Sequence, residues 1–163
     1  MGNNNIEVIE EIGDDNLLLR KVTTDDAAFF FETLNDKQII KYLSLGPIRN
    51  LDHAKRLIKS YLKYWESYRQ YNYVMELKNA RYEVPKSIGS VSLWNLSWLH
   101  RRASIGIWLH SKYWNQGFAK RTLNLIQIIA FKHLKLHRLE AHIAFNNTRS
   151  VKLFEKCGFT REG

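Results

Sequence analysis

Hydrophobic and polar residues alternate most clearly over residues 103–109, and this period of two predicts a β-strand. Its two sides are formed by Ala103, Ile105, Ile107 and Leu109 on one and by Ser104, Gly106 and Trp108 on the other. A second alternation, over 137–146, predicts another strand. Between them, apolar residues recur at helical spacing over 118–134 and predict a helix. A strand, a helix and a strand in this order form a right-handed crossover between parallel strands.

The same kinds of pattern place further elements on either side of this unit. The other predicted strands span residues 16–23, 72–77 and 87–96. Two predicted helices have candidate N-caps at Thr24 or Asp25 and at Asn50 or Asp52, and a third starts near Thr148. That last helix ends beside Gly158, because glycine tolerates the left-handed conformation that often stops a helix. The order β-α-α-β-β-β-α-β-α predicts an α/β (α+β) fold with a mixed sheet and helices on its faces.

Length, composition and charge narrow the class of protein. The 163 residues are 45% hydrophobic, include two prolines and show no linker, so residues 1–163 are predicted to form a single domain. The sequence shows no signal-peptide pattern or long apolar run and has one cysteine, so we expect a cytoplasmic protein without a membrane partner. The net charge of +9 attracts polyanions. Because the cations are scattered and form no RNA-binding motif, direct contact with nucleic acid is not required.

The segment SKYWNQGFAKRTL, residues 111–123, connects the strand 103–109 to the following helix through a turn that contains Gly117. A glycine turn at a helix start directs several free backbone N–H groups at one point, where an anion can bind. The segment contains neither GxxxxGK[ST] nor GxGxxG, so a P-loop and a dinucleotide-binding turn are not supported. From the turn alone, a phosphate cradle and a merely tight entry into the helix both remain open.

A second motif, Asn147-x-x-Ser150, opens the last predicted helix. Asn146 or Asn147 can cap this helix, and Ser150 falls in its first turn. The motif and the glycine turn follow two neighbouring parallel strands, so both lie at the same edge of the sheet. In open α/β sheets, this edge is where ligands bind.

Five sequence elements between Ala103 and Gly163 resemble those of the GNAT superfamily of N-acetyltransferases, in particular its RimJ/RimL-type branch, which acetylates ribosomal-protein N-termini. They are IGIWL, YWNQGFA, HRLEA, NTRS and EKCGFTREG. The resemblance implies a mixed, mostly antiparallel sheet with helices on both faces and a central parallel strand pair that splays apart. It also implies that acetyl-coenzyme A binds in the gap between these two strands as a co-substrate.

The resemblance assigns coenzyme-binding roles residue by residue. The strand residues whose backbone would hold the pantetheine arm are Ile107, Trp108 and Leu109. The loop residues that would hold the pyrophosphate, chiefly through backbone amides, are Asn115, Gln116, Gly117, Phe118, Ala119 and Lys120. Asn147 would bond the pantetheine amides, and Lys120 and Arg121 are cations that could neutralise phosphates. The family loop usually begins with Arg or Gln, whereas Trp114 stands here, a departure of small consequence where backbone amides do the holding.

The implied reaction is attack of an amine on a thioester, and we expect an N-acetyltransferase that acts on a protein N-terminal α-amine. An α-amine, with a reference pKa of about 7.7–8.0, is partly neutral at pH 7, whereas a lysine at about 10.4 needs a strong base, which no motif supplies. Ser150 would donate a hydrogen bond to the departing thiolate, and His142 or Glu140 would act as base, directly or through water. Alternatively, His142 is a surface residue and Glu140 pairs with an arginine such as Arg138 or Arg102.

Other residues that could carry chemistry have simpler roles. Cys157 could carry an acyl group, but its place at a helix end favours a buried small apolar residue. No metal site is expected, because His133 and His137 lack further ligands. The resemblance implies that the acceptor site is built from Phe29–Phe31, the second predicted helix and the strand 88–93.

Chains of the resembled branch normally continue past GFTREG with two more strands, whereas this sequence stops at Gly163. We therefore expect a short strand over 159–163 and truncated C-terminal strands. The open edge beside 137–145 would need a cover, for which a homodimer is one solution, or activity would be compromised. The expected partner is a protein or peptide amine, for example of a ribosomal protein. The alternatives are a small-amine acetyltransferase, a catalytically impaired acyl-coenzyme A-binding or regulatory protein, and a nucleic-acid-binding module.

Overall fold

A computed structural model describes residues 6–79, 81 and 83–163 of the chain. Its strands are β1 (Glu11–Gly13), β2 (Leu17–Lys21), β3 (Tyr71–Leu77), β4 (Lys86–Ser97), β5 (Arg102–Leu109) and β6 (Arg138–Glu140). Its helices are α1 (Ala27–Thr33), α2 (Lys37–Ile40), α3 (Leu51–Glu66), α4 (Phe118–Gln127) and α5 (Thr148–Lys156). The strands form one sheet in the order β1-β2-β3-β4-β5-β6. Every described neighbouring pair is antiparallel except β5 with β6, so the predicted mixed, mostly antiparallel sheet is confirmed.

Helices pack on both faces of the sheet, as the sequence predicts. On one face, Phe30 of α1 and Ile58 of α3 belong to an apolar cluster with Val74 of β3. The adjacent strand residue, Met75, points to the other face, where it belongs to a second cluster with Leu123 of α4. The predicted alternation in β5 is also confirmed, because its buried odd-numbered side chains pack in this second cluster.

The two parallel strands pair over a short distance and then separate. Residues 102–104 of β5 are in register with residues 138–140 of β6, and β5 then continues to Leu109 paired with β4 only. The strand predicted over 137–146 is therefore observed as β6 only, because residues beyond Glu140 leave the ladder that would define a strand. The splayed pair that the resemblance implies is present. Residues 159–163 form no strand, which corrects that expectation, and Glu162 Oε2 is held beside β6 by Arg138 Nη2 at 2.6 Å.

Helix boundaries confirm the expected cap at Asn50 and correct other expectations. A short turn at 24–26 precedes α1, and its cap is Thr23 rather than Thr24 or Asp25, with the Thr23 N–H donating to Asp26 Oδ2 at 2.8 Å. The cap of α3 is Asn50, whose side chain accepts from the His53 N–H at 2.8 Å. The helix predicted over 118–134 is α4 followed by a π-helical segment, Ile128–His133. Across the described ranges, none of the helices combines the length and apolarity needed to cross a bilayer.

Candidate active site

A cavity of about 360 Å³ opens where β5 and the chain after β6 diverge. One wall is formed by residues 105–108 of β5. The opposite wall is formed by residues 141–144 and by Asn147 and Ser150 at the start of α5. The Asn-x-x-Ser motif therefore lies at the gap between the two parallel strands, where the resemblance implies that acetyl-coenzyme A binds.

The backbone of β5 presents hydrogen-bonding groups to this gap. In an antiparallel pair, the N–H and C=O of one residue point to the same side and those of the next residue to the other. The His110 N–H donates to the carbonyl of Ile88 in β4 at 2.8 Å, so the backbone N–H and C=O groups of the even-numbered residues of β5 point toward β4. The backbone groups of the odd-numbered residues, including Ile107 and Leu109, consequently point toward the gap. Since the Leu109 carbonyl already accepts from Trp114 Nε1 at 2.8 Å, Ile107 and the Leu109 amide provide the groups for a pantetheine arm.

Trp108 contributes to the site through its side chain. Its backbone groups face β4 by the same alternation, so the backbone contact expected from this residue is not available to the gap. Its indole packs against the rings of Phe29 and Phe30 at centroid distances of 5.6 and 5.1 Å. Trp108 thus connects the cavity wall to α1.

The glycine turn has the geometry of an anion site. Gly117 is the N-cap of α4 in the left-handed conformation, with φ 84°, and Asn115 is left-handed as well, with φ 61°. The amides of residues 118–120 have no intrahelical acceptor, and Gly117 has no side chain to cap them. An atom at a Cβ position on Gly117 would have no neighbour within 4 Å. Gly117 therefore adds no bulk at the helix start, and the three amides remain available as donors to a phosphate oxygen.

Arg121, one of the two cations that follow the turn, is already paired. Its Nε donates to Asp14 Oδ2 at 3.0 Å, and its Nη2 donates to Asn16 Oδ1 at 2.7 Å. The hydrogen bond from Arg121 holds the pKa of Asp14 below its ordinary value, and the same bond raises the pKa of Arg121. Arg121 therefore ties α4 to the β1–β2 turn, and its charge is not available to a phosphate. Lys120 is exposed.

Ser150 and His142, two of the predicted catalytic residues, line the cavity. Ser150 is half-buried in the first turn of α5, and its backbone N–H donates to Asn147 Oδ1 at 3.4 Å. This bond confirms Asn147 as the cap and leaves the Ser150 hydroxyl free of a capping role. His142 follows β6, with its ring 6.0 Å from the ring of Trp94 and 64% of its side chain exposed. The structure thus brings a hydroxyl and an imidazole to the same cavity.

Glu140, the third predicted catalytic residue, is held by arginines. Its Oε1 accepts from Arg138 Nε at 2.7 Å and lies 3.8 Å from Arg102 Nη1. The hydrogen bond from Arg138 is the main reason that the pKa of Glu140 lies below its ordinary value. Glu140 is also not among the described residues that line the cavity. The ion-pair alternative therefore describes Glu140, and His142, whose Nε2 lies 3.9 Å from Glu140 Oε2, is the better placed base.

Cys157 lies apart from this cavity. It lines a neighbouring one between β6 and residues 157–163, and it is half-buried. Burial raises the pKa of the Cys157 thiol. Position and protonation both favour the packing role that the sequence suggests over a nucleophile.

The remaining lining residues form a candidate acceptor side. As the resemblance implies, Phe30, Tyr61 and residues of strand 88–93 take part. The lining residues that the sequence does not point to are Tyr42, Leu43, Ser44, Leu45, Gln70, Asn72 and Trp94. No motif marks them, because they come from the loop after α2 and from separate strands. Among the described residues, the lining contains no Asp, Glu, Lys or Arg.

Comparison with known proteins agrees with this geometry. The chain matches the acetyltransferase (GNAT) domain over residues 16–160. The spermidine N(1)-acetyltransferase of Vibrio cholerae is 29% identical over 148 residues, which is 90% of this chain and 80% of that protein. The crystal structure of a Vibrio cholerae spermidine N-acetyltransferase in complex with CoA and spermine has a TM-score of 0.79 and 29% identity, covering 91% of this chain and 83% of that one.

A more distant structure supports the fold alone. Mycobacterium smegmatis RimJ in complex with CoA-disulfide has a TM-score of 0.80 at 22% identity, covering 90% of this chain and 71% of that one. With a domain match over residues 16–160 and a parallel strand pair that opens beyond Ser104, the chain belongs to the acetyltransferase (GNAT) family and is an N-acetyltransferase.

Proposed function

We propose that this protein transfers the acetyl group of acetyl-coenzyme A to the α-amine at the N-terminus of a protein or peptide. The observation that carries the choice of acceptor is the uncharged lining of the cavity. The described residues around it contribute aromatic rings, hydroxyls and amides, but no carboxylate.

An uncharged cavity distinguishes between classes of amine. Spermidine, the substrate named for the Vibrio cholerae relative, carries several positive charges, and a buried charge needs an acidic partner. An α-amine carries a single charge and loses it near its reference pKa of about 7.7–8.0. The amides of Gln70 and Asn72, which are joined by a hydrogen bond of 2.8 Å, can bond the peptide backbone that follows such an amine. A peptide N-terminus therefore suits the cavity better than a polyamine.

The chain can hold the coenzyme along both walls of the gap. When bound, acetyl-coenzyme A supplies an acetyl group activated as a thioester. The backbone groups of Ile107 and Leu109 that face the gap would hold the pantetheine arm, and the free amides of residues 118–120 would hold the pyrophosphate. Asn147 lines the gap from the other side, where its side-chain N–H groups can bond the pantetheine amides.

Two side chains on the α5 side of the gap would move or hold protons. His142 accepts the proton that the acceptor amine loses, through water, because its ring is exposed at the cavity. Ser150 donates a hydrogen bond to the departing sulfur. It does not transfer its proton fully, because a serine hydroxyl is too weak an acid. Neither role requires Glu140 to leave its arginine partners.

Replacing Ser150 with alanine should lower kcat about 10-fold and change the Kd for coenzyme A by less than about 2-fold. A hydrogen bond that strengthens as the sulfur gains charge acts in the transition state, and about 1.5 kcal/mol corresponds to this factor. The helix cap is unaffected, because Asn147 accepts from the backbone N–H of residue 150. Steady-state kinetics and calorimetric titration measure the two quantities, with Thr148→Ala, exposed in the same turn, as the control. An unchanged kcat would remove Ser150 from the mechanism.

Coenzyme A release with three acceptors tests the proposed function. They are a peptide with a free N-terminal alanine, a lysine-containing peptide with a blocked N-terminus, and spermidine. We expect the free α-amine to react with a kcat/KM at least about 10-fold above the other two, and mass spectrometry should locate the acetyl group on the N-terminus. Faster acetylation of spermidine would contradict the choice of acceptor. Coenzyme binding without transfer to any amine would instead identify an impaired coenzyme-binding protein.

A further inference from the structure

Arg149 bridges the two sides of the mouth of the coenzyme gap. It occupies one of the two middle positions of the Asn-x-x-Ser motif, in the first turn of α5. Its Nη2 donates to Asn115 Oδ1 at 3.0 Å, and its guanidinium carbon lies 4.5 Å from the centre of the Trp114 ring. Trp114 and Asn115 directly precede the glycine turn, so the guanidinium contacts the segment that leads into the free amides of residues 118–120.

The charge of Arg149 is oriented but not neutralised. Its contacts are a neutral amide and an aromatic ring, and no carboxylate in the described part of the chain is within ion-pair distance of it. Arg121 and Arg138, by contrast, are each paired with a carboxylate. A guanidinium has five N–H donors, and one of them is used here. Arg149 is exposed and keeps donors and charge for an anion.

We infer that Arg149 binds the diphosphate of coenzyme A together with the free amides of residues 118–120. The inference rests on the proposed function, since it concerns the same coenzyme site. The planar guanidinium matches two phosphate oxygens at once, and its contacts with the Trp114 ring and with Asn115 Oδ1 orient it before the ligand arrives. The loop amides supply hydrogen bonds without a full charge, and Arg121 is already paired, so Arg149 supplies the cation.

Calorimetric titration of wild-type protein and of Arg149→Ala with coenzyme A, 3′-dephospho-coenzyme A and pantetheine tests the inference. We expect Arg149→Ala to weaken binding of the first two ligands by a similar factor, roughly 10- to 100-fold, because charge-assisted hydrogen bonds are lost. Binding of pantetheine, which has no phosphate, should be unchanged. Arg149→Lys should lose part of the affinity, since an ammonium keeps the charge but not the planar fork. Lys152→Ala removes the same charge from an exposed position in α5 and is the matched control.

The outcomes distinguish the diphosphate from the 3′-phosphate, and they distinguish a failure of the Arg149 inference from a failure of the proposed function. A loss seen with coenzyme A but absent with the 3′-dephospho form would assign Arg149 to the 3′-phosphate and overturn the diphosphate role. An Arg149→Ala affinity equal to that of Lys152→Ala would reduce Arg149 to a general charge and overturn the inference alone. A wild-type protein that binds no coenzyme A would overturn the proposed function and the inference with it. Thermal unfolding of each variant checks that the fold is intact.

Discussion

Replacing Gly117 with glutamate is expected to weaken coenzyme A binding about 100-fold or more. Gly117 is the N-cap of α4, directly before the free amides of residues 118–120, and a Cβ added there would meet no atom within 4 Å. The new carboxylate would occupy the place of a phosphate oxygen and repel its neighbours. At about 5 Å and an effective dielectric constant of about 20, one such repulsion amounts to about 3 kcal/mol, which is roughly 100-fold in Kd. Calorimetric titration measures the loss.

The same substitution should leave the protein folded. A carboxylate at a helix N-terminus is favourable, which offsets part of the roughly 1–2 kcal/mol that a side chain at positive φ costs. Gly117→Ala introduces the backbone strain without the charge and should retain most of the affinity. Gly158→Glu is a second control, because Gly158 also has a positive φ of 94° and open space but lies at the far end of α5. Wild-type affinity in Gly117→Glu would place the pyrophosphate elsewhere.

The segment from β5 to α5, which contains the crossover, could be predicted from the sequence because its signals are local. The alternation in β5, the helical spacing in α4 and the cap at Asn147 each depend on residues a few positions apart. The elements β1 and α2, of three and four residues, are too short to show a period. The end of β6 at Glu140 depends on its distance from β5, which no local pattern records.

The residues of the candidate site also differ in whether a local sequence pattern marks them. Gly117 and Ser150 could be proposed as site residues because their motifs fix their spacing to neighbouring elements. The partners of charged residues could not be selected in advance, because Arg121 and Asp14 are distant in sequence and Glu140 had several arginines to choose from. Trp114, where the family usually has Arg or Gln, shows its contact only in the structure, in which its ring lies against the guanidinium of Arg149 from α5.

Replacing a buried carboxylate outside the site, that of Asp26, is expected to have a large effect on the free energy of unfolding. Asp26, 4% exposed at the start of α1, accepts from Arg20 Nη2 at 2.6 Å and from Arg20 Nη1 at 2.9 Å. Arg20 also bonds Glu76 of β3, and its two acidic partners raise its pKa. The cluster thus joins β2, β3 and the beginning of α1. Asp26→Ala should lower the free energy of unfolding by about 3 kcal/mol, since removing one member of a buried pair leaves the other poorly compensated.

Urea unfolding measures this loss, and two further variants identify its cause. Asp25→Ala removes the same charge from an exposed neighbour and should cost less than about 0.5 kcal/mol. The triple variant Arg20→Met, Asp26→Leu and Glu76→Met should be more stable than Asp26→Ala, because no member of the charged cluster is left without its partner. Equal stabilities of Asp25→Ala and Asp26→Ala would show that the pair contributes nothing. Because α1 carries Phe30 into the cavity wall, the Asp26→Ala enzyme should also show a higher KM for the acceptor, while its Kd for coenzyme A stays unchanged.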